Sequence, residues 1–125
     1  MSRLPTRVAV VEDDASVRTA LQELLRSLGI DTHVFASAEA CLVSEESGDA
    51  VDCVIADVNL PGMSGVALVQ QLRTKRSGLP AVLMTGRDDR NTMALLDQAG
   101  DVPRLHKPFG ETALLDALHQ AMTAR

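Results

Sequence analysis

The sequence predicts an α/β fold in which a parallel five-stranded sheet is covered by helices on both faces. Short, continuous apolar runs such as "VDCVIA" and "PAVLM" alternate along the chain with segments of helical periodicity. This alternation is typical of parallel strands joined by helical crossovers. The chain has 125 residues, a length that suits a single domain. Aromatic residues make up only 2% of it, so the predicted core is aliphatic.

Each of the ten predicted elements has its own signal. The strands are predicted near 7–11, 31–35, 51–56, 80–84 and 102–106, and the helices over 15–28, 38–46, 65–75, 88–99 and 111–123.

In the first half of the chain, "RVAVV" is an apolar strand, and leucines at helical spacing follow it up to Gly29, a typical helix stop. "DTHVF" alternates polar and apolar residues, which favours an edge strand. Ser37 can cap the short helix that continues to Glu46. These signals predict two strand–helix units.

In the second half, "VDCVIA" and "PAVLM" are continuous apolar runs that predict two buried strands. A helix with Val66, Val69 and Leu72 on one side separates them. "VPRLH" contains Pro103, which cannot donate to a strand ladder, so this last strand is expected at a sheet edge. A helix with a leucine-rich face closes the chain.

Composition excludes several classes of function. The formal net charge is −5 and the pI is near 5.0, which argues against wrapping nucleic acid or docking on anionic membranes. Cys41 and Cys53 match neither a C-x-x-C nor a zinc-site spacing, so we interpret them as reduced core thiols. The sequence contains no 18-residue apolar run and no secretory signal, and the expected compartment is therefore the cytoplasm.

Polar residues follow the apolar strands at their carboxyl ends. They are Glu12 and Asp13 after the first strand, Asp57 after the third, Thr85 after the fourth and Lys107 after the fifth. Open parallel sheets bind ligands outside the carboxyl ends of their strands, near the point where the strand order reverses. In the flavodoxin-like order 2-1-3-4-5, the first and third strands are neighbours at that point, so the acidic side chains are expected to converge.

Three carboxylates in one pocket would repel each other. At about 5 Å and an effective dielectric of about 20, each pair costs roughly 3 kcal/mol. A hard divalent cation such as Mg²⁺ would offset this repulsion, while Lys107 would add a second positive charge and Thr85 a hydroxyl donor. This combination describes a phosphoryl-transfer site with a carboxylate nucleophile. An isolated Asp57 would more often cap a turn, but on the central strand of such a site it is the candidate nucleophile.

The chain resembles the receiver domains of bacterial two-component response regulators over essentially its whole length. The resemblance rests on "VVEDDASVR", "DVNLPGMSG", "MTG" and "HKPF", which occur in the family's order and at its intervals. The segment "FASAEACL" is most similar to receivers of the FixJ type, from the nitrogen-fixation regulator. The resemblance implies a doubly wound (βα)5 fold and one receiver domain over residues 1–125.

The resemblance also implies roles for the acidic residues. Glu12 and Asp13 match the pair that holds Mg²⁺, for which Mn²⁺ can substitute, and Asp14 matches a position that is often acidic without being a main ligand. Asp57 matches the aspartate that contacts the metal and accepts a phosphoryl group from a histidine kinase. Asn59 matches the residue whose backbone carbonyl contacts the metal.

The family's switch is implied only in part. Thr85 matches the hydroxyl residue that phosphate draws inward, and Lys107 matches the lysine that precedes a cis Pro108. An aromatic residue of the fifth strand then rotates in behind the hydroxyl, but that position is Arg104 here. Because an unpaired guanidinium is costly to bury, Arg104 is expected to stay at the surface. The usual relay to the face of the fourth helix, fifth strand and fifth helix is therefore not expected in its normal form.

The implied partners are a sensor histidine kinase and an output domain outside this chain, and a homodimer through that face is left open. Direct contacts with nucleic acid or membrane are not expected. The implied function is a signalling domain that catalyses only its own phosphorylation and dephosphorylation and switches an output or a partner.

Alternative functions remain at this point. A phosphohydrolase with an aspartyl nucleophile would need D-x-D after the first strand, where this chain has E-D-D, and a longer chain. An unphosphorylated interaction module would not need Asp57, Thr85 and Lys107 together. An FMN-binding protein is disfavoured because the acidic first loop would repel a phosphate group.

Overall fold

Five strands and five helices alternate along the part of the chain that the structure describes, as predicted. The computed structural model describes residues 4–48 and 50–123. The remainder of the predicted span 1–125, namely residues 1–3, 49 and 124–125, lies outside the described residues. The elements are β1 (Arg7–Val11), α1 (Ala15–Ser27), β2 (Asp31–Phe35), α2 (Ala38–Glu46), β3 (Cys53–Asp57), α3 (Gly65–Lys75), β4 (Ala81–Thr85), α4 (Arg90–Ala99), β5 (Arg104–His106) and α5 (Glu111–Thr123).

The strands form one parallel sheet in the order β2-β1-β3-β4-β5, which confirms the predicted flavodoxin-like topology. β1 and β3 are neighbours at the centre, with Val11 opposite Ala56. The strand order reverses between them, so their carboxyl ends border the crevice in which such sheets bind ligands. β2 and β5 form the two edges, as predicted.

Alternating side chains of the strands build a core on each face of the sheet. Ala9, Val54 and Leu83 point to the side covered by α2, α3 and α4. Their neighbours in sequence, such as Val10 and Ile55, point to the side covered by α1 and α5. Both faces of β3 and β4 are buried, which explains why these strands are continuous apolar runs.

The bounds of three strands differ from the predicted ones by one or two residues at an end. β3 spans 53–57 rather than 51–56, and its last residue is Asp57 itself, paired with Met84 of β4. β4 spans 81–85 rather than 80–84, because the Thr85 carbonyl accepts a hydrogen bond from Lys107 N at 2.9 Å. Hydrophobicity marks burial, whereas the ladder hydrogen bonds decide where a strand begins and ends.

The third of these corrections concerns β5, which spans 104–106 rather than 102–106. Pro103 has no N–H to contribute to a ladder, and only its carbonyl takes part, accepting from Leu83 N at 2.9 Å. The edge strand predicted from this proline is therefore correct, but it is shorter than predicted.

Capping residues set the helix boundaries that differ from prediction. α1 ends at Ser27 with Leu28 as its C-cap, rather than at residue 28. α4 begins at Arg90 rather than at residue 88, because the Asp89 carboxylate accepts the Thr92 N–H at 2.8 Å and so serves as N-cap.

The cysteine prediction is confirmed, because Cys41 and Cys53 are both buried and free. Burial raises the pKa of each thiol to about 12, so both stay protonated near neutral pH. Within the described ranges, no helix has the length and apolar character that crossing a membrane requires.

Candidate functional site

The carboxyl ends of β1, β3 and β5 bring the predicted acidic residues and lysine together. One carboxylate oxygen from each of Glu12, Asp13 and Asp57 lies within 4.8 Å of the other two. Glu12 and Asp57 are buried, at 1% and 5% exposure, and Asp13 is exposed. The three residues and Lys107 line an open cleft of about 310 Å³.

Both oxygens of the Asp57 carboxylate have a hydrogen-bond donor. Oδ1 accepts from the backbone N–H of Asn59 at 3.0 Å, and Oδ2 accepts from Lys107 Nζ at 2.7 Å. The strand that ends on Asp57 is buried along its whole length. The carboxylate is therefore held in one orientation at the mouth of the cleft.

The close approach of α3 to Asp57 explains the glycine at the start of that helix. A Cβ atom at Gly65 would collide with the carbonyl oxygen of Asp57. Ser64, the N-cap of α3, accepts the Ala67 N–H at 3.1 Å. The "PGMSG" turn can thus bring the helix directly against the strand end.

Glu12 is the most deeply buried acid of the cleft, and both of its oxygens also have donors. Oε1 accepts from Lys107 Nζ at 2.5 Å, and Oε2 accepts from the Asp14 N–H at 3.1 Å. Burial raises the pKa of the Glu12 carboxyl, and the bonds from Lys107 and Asp14 only partly oppose this rise. Glu12 therefore faces Lys107, a partner that the sequence did not predict for it.

Lys107 bridges two acids that lie far apart in the chain. Burial alone would lower the pKa of its ammonium group, but hydrogen bonds to Asp57 and Glu12 raise it overall. The side chain thus stays charged and offsets part of the repulsion in the cleft. The peptide bond between Lys107 and Pro108 is cis, which confirms that expectation.

A side chain of α1 holds the loop that carries the first two acids. Arg18 Nη1 donates to the carbonyl oxygens of Glu12 and Asp13, at 2.9 and 3.2 Å. Sequence reasoning assigned Arg18 no role, although the quoted motif "VVEDDASVR" ends on it. Its place one helical turn beyond the loop is the signal that could have identified it.

Asp14 does not share in the acidic cluster and instead caps α1. Its Oδ1 accepts from the Ser16 hydroxyl at 2.7 Å and from the N–H groups of Ser16 and Val17 at 2.9 and 3.3 Å. These bonds lower the pKa of the Asp14 carboxyl. This capping role agrees with the expectation that Asp14 is not a main ligand.

The donor set of the cleft fits a small hard cation. Carboxylate oxygens are the ligands that Mg²⁺ prefers, and its ligands at about 2.1 Å lie at most about 4.2 Å apart. The spacing of up to 4.8 Å among Glu12, Asp13 and Asp57 needs only a small adjustment to reach that geometry. The exposed Asp13 has the most accessible carboxylate, whereas Glu12 would have to share its oxygens with Lys107.

Thr85 is buried behind the cleft, but its hydroxyl does not point toward Asp57. Its Oγ1 donates to the Arg87 carbonyl at 2.9 Å and accepts the Arg87 N–H at 3.1 Å. The hydroxyl thus closes a local turn after β4. In this structure a nearer backbone partner satisfies the hydroxyl, and the role of Thr85 as a donor within the pocket stays a prediction.

Arg104 lies at the surface, as expected for a guanidinium on the edge strand. Its Nη2 donates to the Leu96 carbonyl at 3.1 Å, in the last turn of α4. That turn has no basic residue of its own, so Arg104 supplies the positive charge that a helix C-terminus favours. Among the described residues, Arg104 forms no ion pair with a carboxylate.

Burial along α4 does not follow the hydrophobicity of its residues. Met93 is 42% exposed, whereas its polar neighbour Thr92 is fully buried. Asn59 Nδ2 donates to Thr92 Oγ1 at 3.1 Å, which gives the buried hydroxyl a partner. No sequence signal marked Thr92, since a threonine in a helix is usually placed on the polar side.

Fold and site together define a class of protein: a doubly wound α/β domain with an acid–lysine cluster at the carboxyl ends of its central strands. The sequence profile of the response regulator receiver domain family matches residues 8–119. The chain therefore belongs to this family, and its function is that of a receiver domain of a two-component response regulator. The resemblance stated from the sequence is confirmed.

Relatives with known names agree with this assignment. Nodulation protein W of Bradyrhizobium diazoefficiens is 38% identical over 111 residues, covering 89% of this chain and 48% of that protein. Transcriptional regulatory protein FixJ of the same species is 32% identical over 115 residues, covering 92% of this chain and 56% of that protein. The chain thus spans about half the length of these two relatives.

A solved structure shows the same fold. The signal receiver domain of an HD domain-containing protein from Pseudomonas fluorescens Pf-5 has a TM-score of 0.83 and 28% sequence identity. The match covers 98% of this chain and 97% of that one. The likeness therefore extends over the whole sheet and all its helices.

Proposed function

We propose that this receiver domain takes a phosphoryl group from a sensor histidine kinase onto Asp57. The observation that carries the proposal is the position of the Asp57 carboxylate, buried at the end of β3 with Lys107 Nζ 2.7 Å from Oδ2. A cation beside one oxygen of a carboxylate nucleophile stabilises the charge that develops on a transferred phosphoryl group.

The chemistry requires only one covalent exchange. An oxygen of Asp57 forms a bond to phosphorus, and the bond from phosphorus to the imidazole nitrogen of the donor breaks. The electron pair of that bond stays on the imidazole, which takes up a proton. Lys107 remains beside the carboxylate throughout, and water later hydrolyses the acyl phosphate to restore Asp57.

Mg²⁺, for which Mn²⁺ can substitute, is the proposed cofactor. When bound, it neutralises negative charge on the carboxylates and on the incoming phosphoryl oxygens. Asp13 and Asp57 would hold it directly, with the backbone carbonyl of Asn59, and Glu12 would complete the acidic set. The carboxylate spacing described above supports this assignment.

The hydroxyl of Thr85 is the proposed switch. Its bonds to Arg87 would break when a phosphoryl group offers a stronger, charged acceptor. Arg104 would remain outside and keep its contact with α4, so the response would pass mainly through the loop after β4.

The chain over residues 1–125 is one receiver domain, which acts in the cytoplasm and catalyses only its own phosphorylation and dephosphorylation. An output domain outside this chain would read the switch, and a homodimer would use the face of α4, β5 and α5. The net charge of −5 disfavours direct contact with nucleic acid or with an anionic membrane.

Intact mass spectrometry after incubation with acetyl phosphate and Mg²⁺ tests the phosphoacceptor. The wild type should gain one phosphoryl group and Asp57→Asn none. Asp52→Asn, at a half-buried carboxylate that precedes the same strand and does not line the cleft, serves as the matched control and should be labelled like the wild type. Equal labelling of the wild type and Asp57→Asn would disprove the assignment, and steady turnover of a generic phosphate ester would favour a phosphohydrolase instead.

A further inference from the structure

A buried threonine of α4 lies against the loop that follows Asp57. Thr92 is fully buried, and its hydroxyl has the Asn59 side chain as partner. Asn59 Nδ2 donates to Thr92 Oγ1 at 3.1 Å, and Thr92 Oγ1 can donate back to Asn59 Oδ1 at 3.4 Å. Since a buried hydroxyl without a partner is costly, this contact holds the amide of Asn59 in place.

Asn59 passes this restraint to the carboxylate of Asp57. The backbone N–H of Asn59 donates to Asp57 Oδ1 at 3.0 Å. Asn59 thus bonds to Thr92 through its side chain and to Asp57 through its backbone N–H. Fixing the amide therefore restrains the peptide group that orients the carboxylate.

The hydrogen bonds from Asn59 and Lys107 together determine the rotation of the Asp57 carboxylate. Lys107 holds Oδ2, so the donor at Oδ1 is the second of two points that define the plane of the group. A nucleophile reacts fastest when its attacking oxygen is already aligned, and small misplacements lower the rate strongly.

We propose that Thr92 is a positioning residue for phosphorylation of Asp57, acting through Asn59. This inference rests on the proposed function of Asp57. Among the described residues, Thr92 forms no hydrogen bond to the Asp57 carboxylate or to Lys107, and its proposed effect passes through the Asn59 side chain.

Thr92→Val tests the role of the hydroxyl, because valine keeps the branched shape of threonine. Its rate of phosphorylation by acetyl phosphate with Mg²⁺ should fall about 3- to 10-fold, as expected for one lost hydrogen bond. Thr92→Ser should restore most of the rate. The matched control is Thr74→Val, since the exposed Thr74 hydroxyl bonds to Gln71 O at 2.6 Å within its own helix, α3; its rate should not change.

A double-mutant cycle separates positioning from general destabilisation. In an Asn59→Ala background, Thr92→Val should cause no further loss of rate, because the link it breaks is already absent. A merely structural role would lower the rate by the same factor in both backgrounds. Melting temperatures from far-UV circular dichroism, used because the chain has no Trp or Tyr, show that each variant is folded.

A readout that needs no phosphorylation distinguishes the two proposals. In NMR spectra of the unphosphorylated protein, Thr92→Val should shift the backbone and side-chain amide signals of Asn59, and Thr74→Val should not. Unchanged Asn59 signals, or a Thr92→Val rate equal to wild type, would overturn the positioning role while leaving Asp57 as phosphoacceptor. Labelling of Asp57→Asn at the wild-type level would instead overturn the proposed function, and the positioning role with it.

Discussion

Lys107 Nζ lies 2.7 Å from Asp57 Oδ2, although the two residues are 50 positions apart in the chain. β4 separates their strands in the sheet, so the lysine reaches across the end of that strand. The same nitrogen also contacts Glu12. One cation thus serves two buried carboxylates, and the balance of charge in the cleft depends on it.

Replacing Lys107 with Met should destabilise the metal-free protein. The change leaves Glu12, which is 1% exposed, without its charged partner. Removing one partner of a buried pair costs about 3–5 kcal/mol, and we expect about 1–3 kcal/mol here because the Lys107 side chain is 23% exposed and partly screened. Urea unfolding followed by far-UV circular dichroism in the presence of EDTA measures this loss.

The loss should depend on pH. Burial raises the pKa of Glu12 in the folded protein above its value in the unfolded chain, which is about 4.3. Protonated Glu12 therefore stabilises the fold at a pH below the unfolded pKa. This contribution is lost as the pH rises through the folded pKa. Without Lys107 the pKa of Glu12 in the folded protein rises further. The free energy of unfolding of Lys107→Met should therefore lie further below that of the wild type at about pH 8 than at about pH 5. The exposed Lys75→Met is the control. A deficit that is equal at both pH values would contradict the role of Glu12.

Mg²⁺ should raise the melting temperature of the wild type but not that of Asp13→Asn. A ligand at about 100 times its Kd adds about 2.7 kcal/mol to the stability of the folded state. Because Asp13 is exposed, its replacement should leave the melting temperature in EDTA nearly unchanged while removing a ligand. Calorimetric scans with and without Mg²⁺ check both statements. A wild type that is indifferent to Mg²⁺ well above millimolar concentration would count against the metal site.

Gly65→Ala should impair both stability and phosphorylation. The added Cβ would collide with the Asp57 carbonyl, so α3 or the end of β3 must move, at a cost of about 1–3 kcal/mol. Gly110→Ala is the matched control, since a Cβ there meets nothing within 4 Å. Urea unfolding and acetyl phosphate labelling should therefore distinguish the two alanine variants. Equal behaviour would show that the contact with Asp57 is not critical.

Activation should move the loop after β4 more than it moves Arg104. For the hydroxyl of Thr85 to reach a phosphoryl group, its bonds to Arg87 must break, whereas Arg104 can keep its bond to Leu96. Beryllofluoride with Mg²⁺ should shift the backbone NMR signals of residues 85–89 strongly and those of Arg104 weakly. Asp57→Asn should show no such shifts. A buried, reoriented Arg104 in the activated form would show this prediction to be wrong.

Periodicity and capping signals were sufficient to predict all ten elements, whereas the order of the strands came from the flavodoxin-like topology that the resemblance implied. Apolar runs mark strands buried on both faces, as in β3 and β4, and Pro103 marks an edge, because these properties depend on residues close in sequence. The same reasoning placed acids at the ends of β1 and β3, since parallel strands bring their carboxyl ends to one side. The predicted role of Asp57 therefore rested on its place at the carboxyl end of β3 in the expected strand order.

The sequence by itself determined the element order, the sheet topology and the set of acids and lysine that converge. Only the tertiary structure decided which donor meets which acceptor: Lys107 bonds Glu12 as well as Asp57, Thr85 turns to Arg87, and Thr92 rather than Met93 is buried. The physical reason is that periodicity records which face of an element is apolar. A hydrogen bond between residues 33 or 95 positions apart depends instead on the distance and angle at which two packed elements meet.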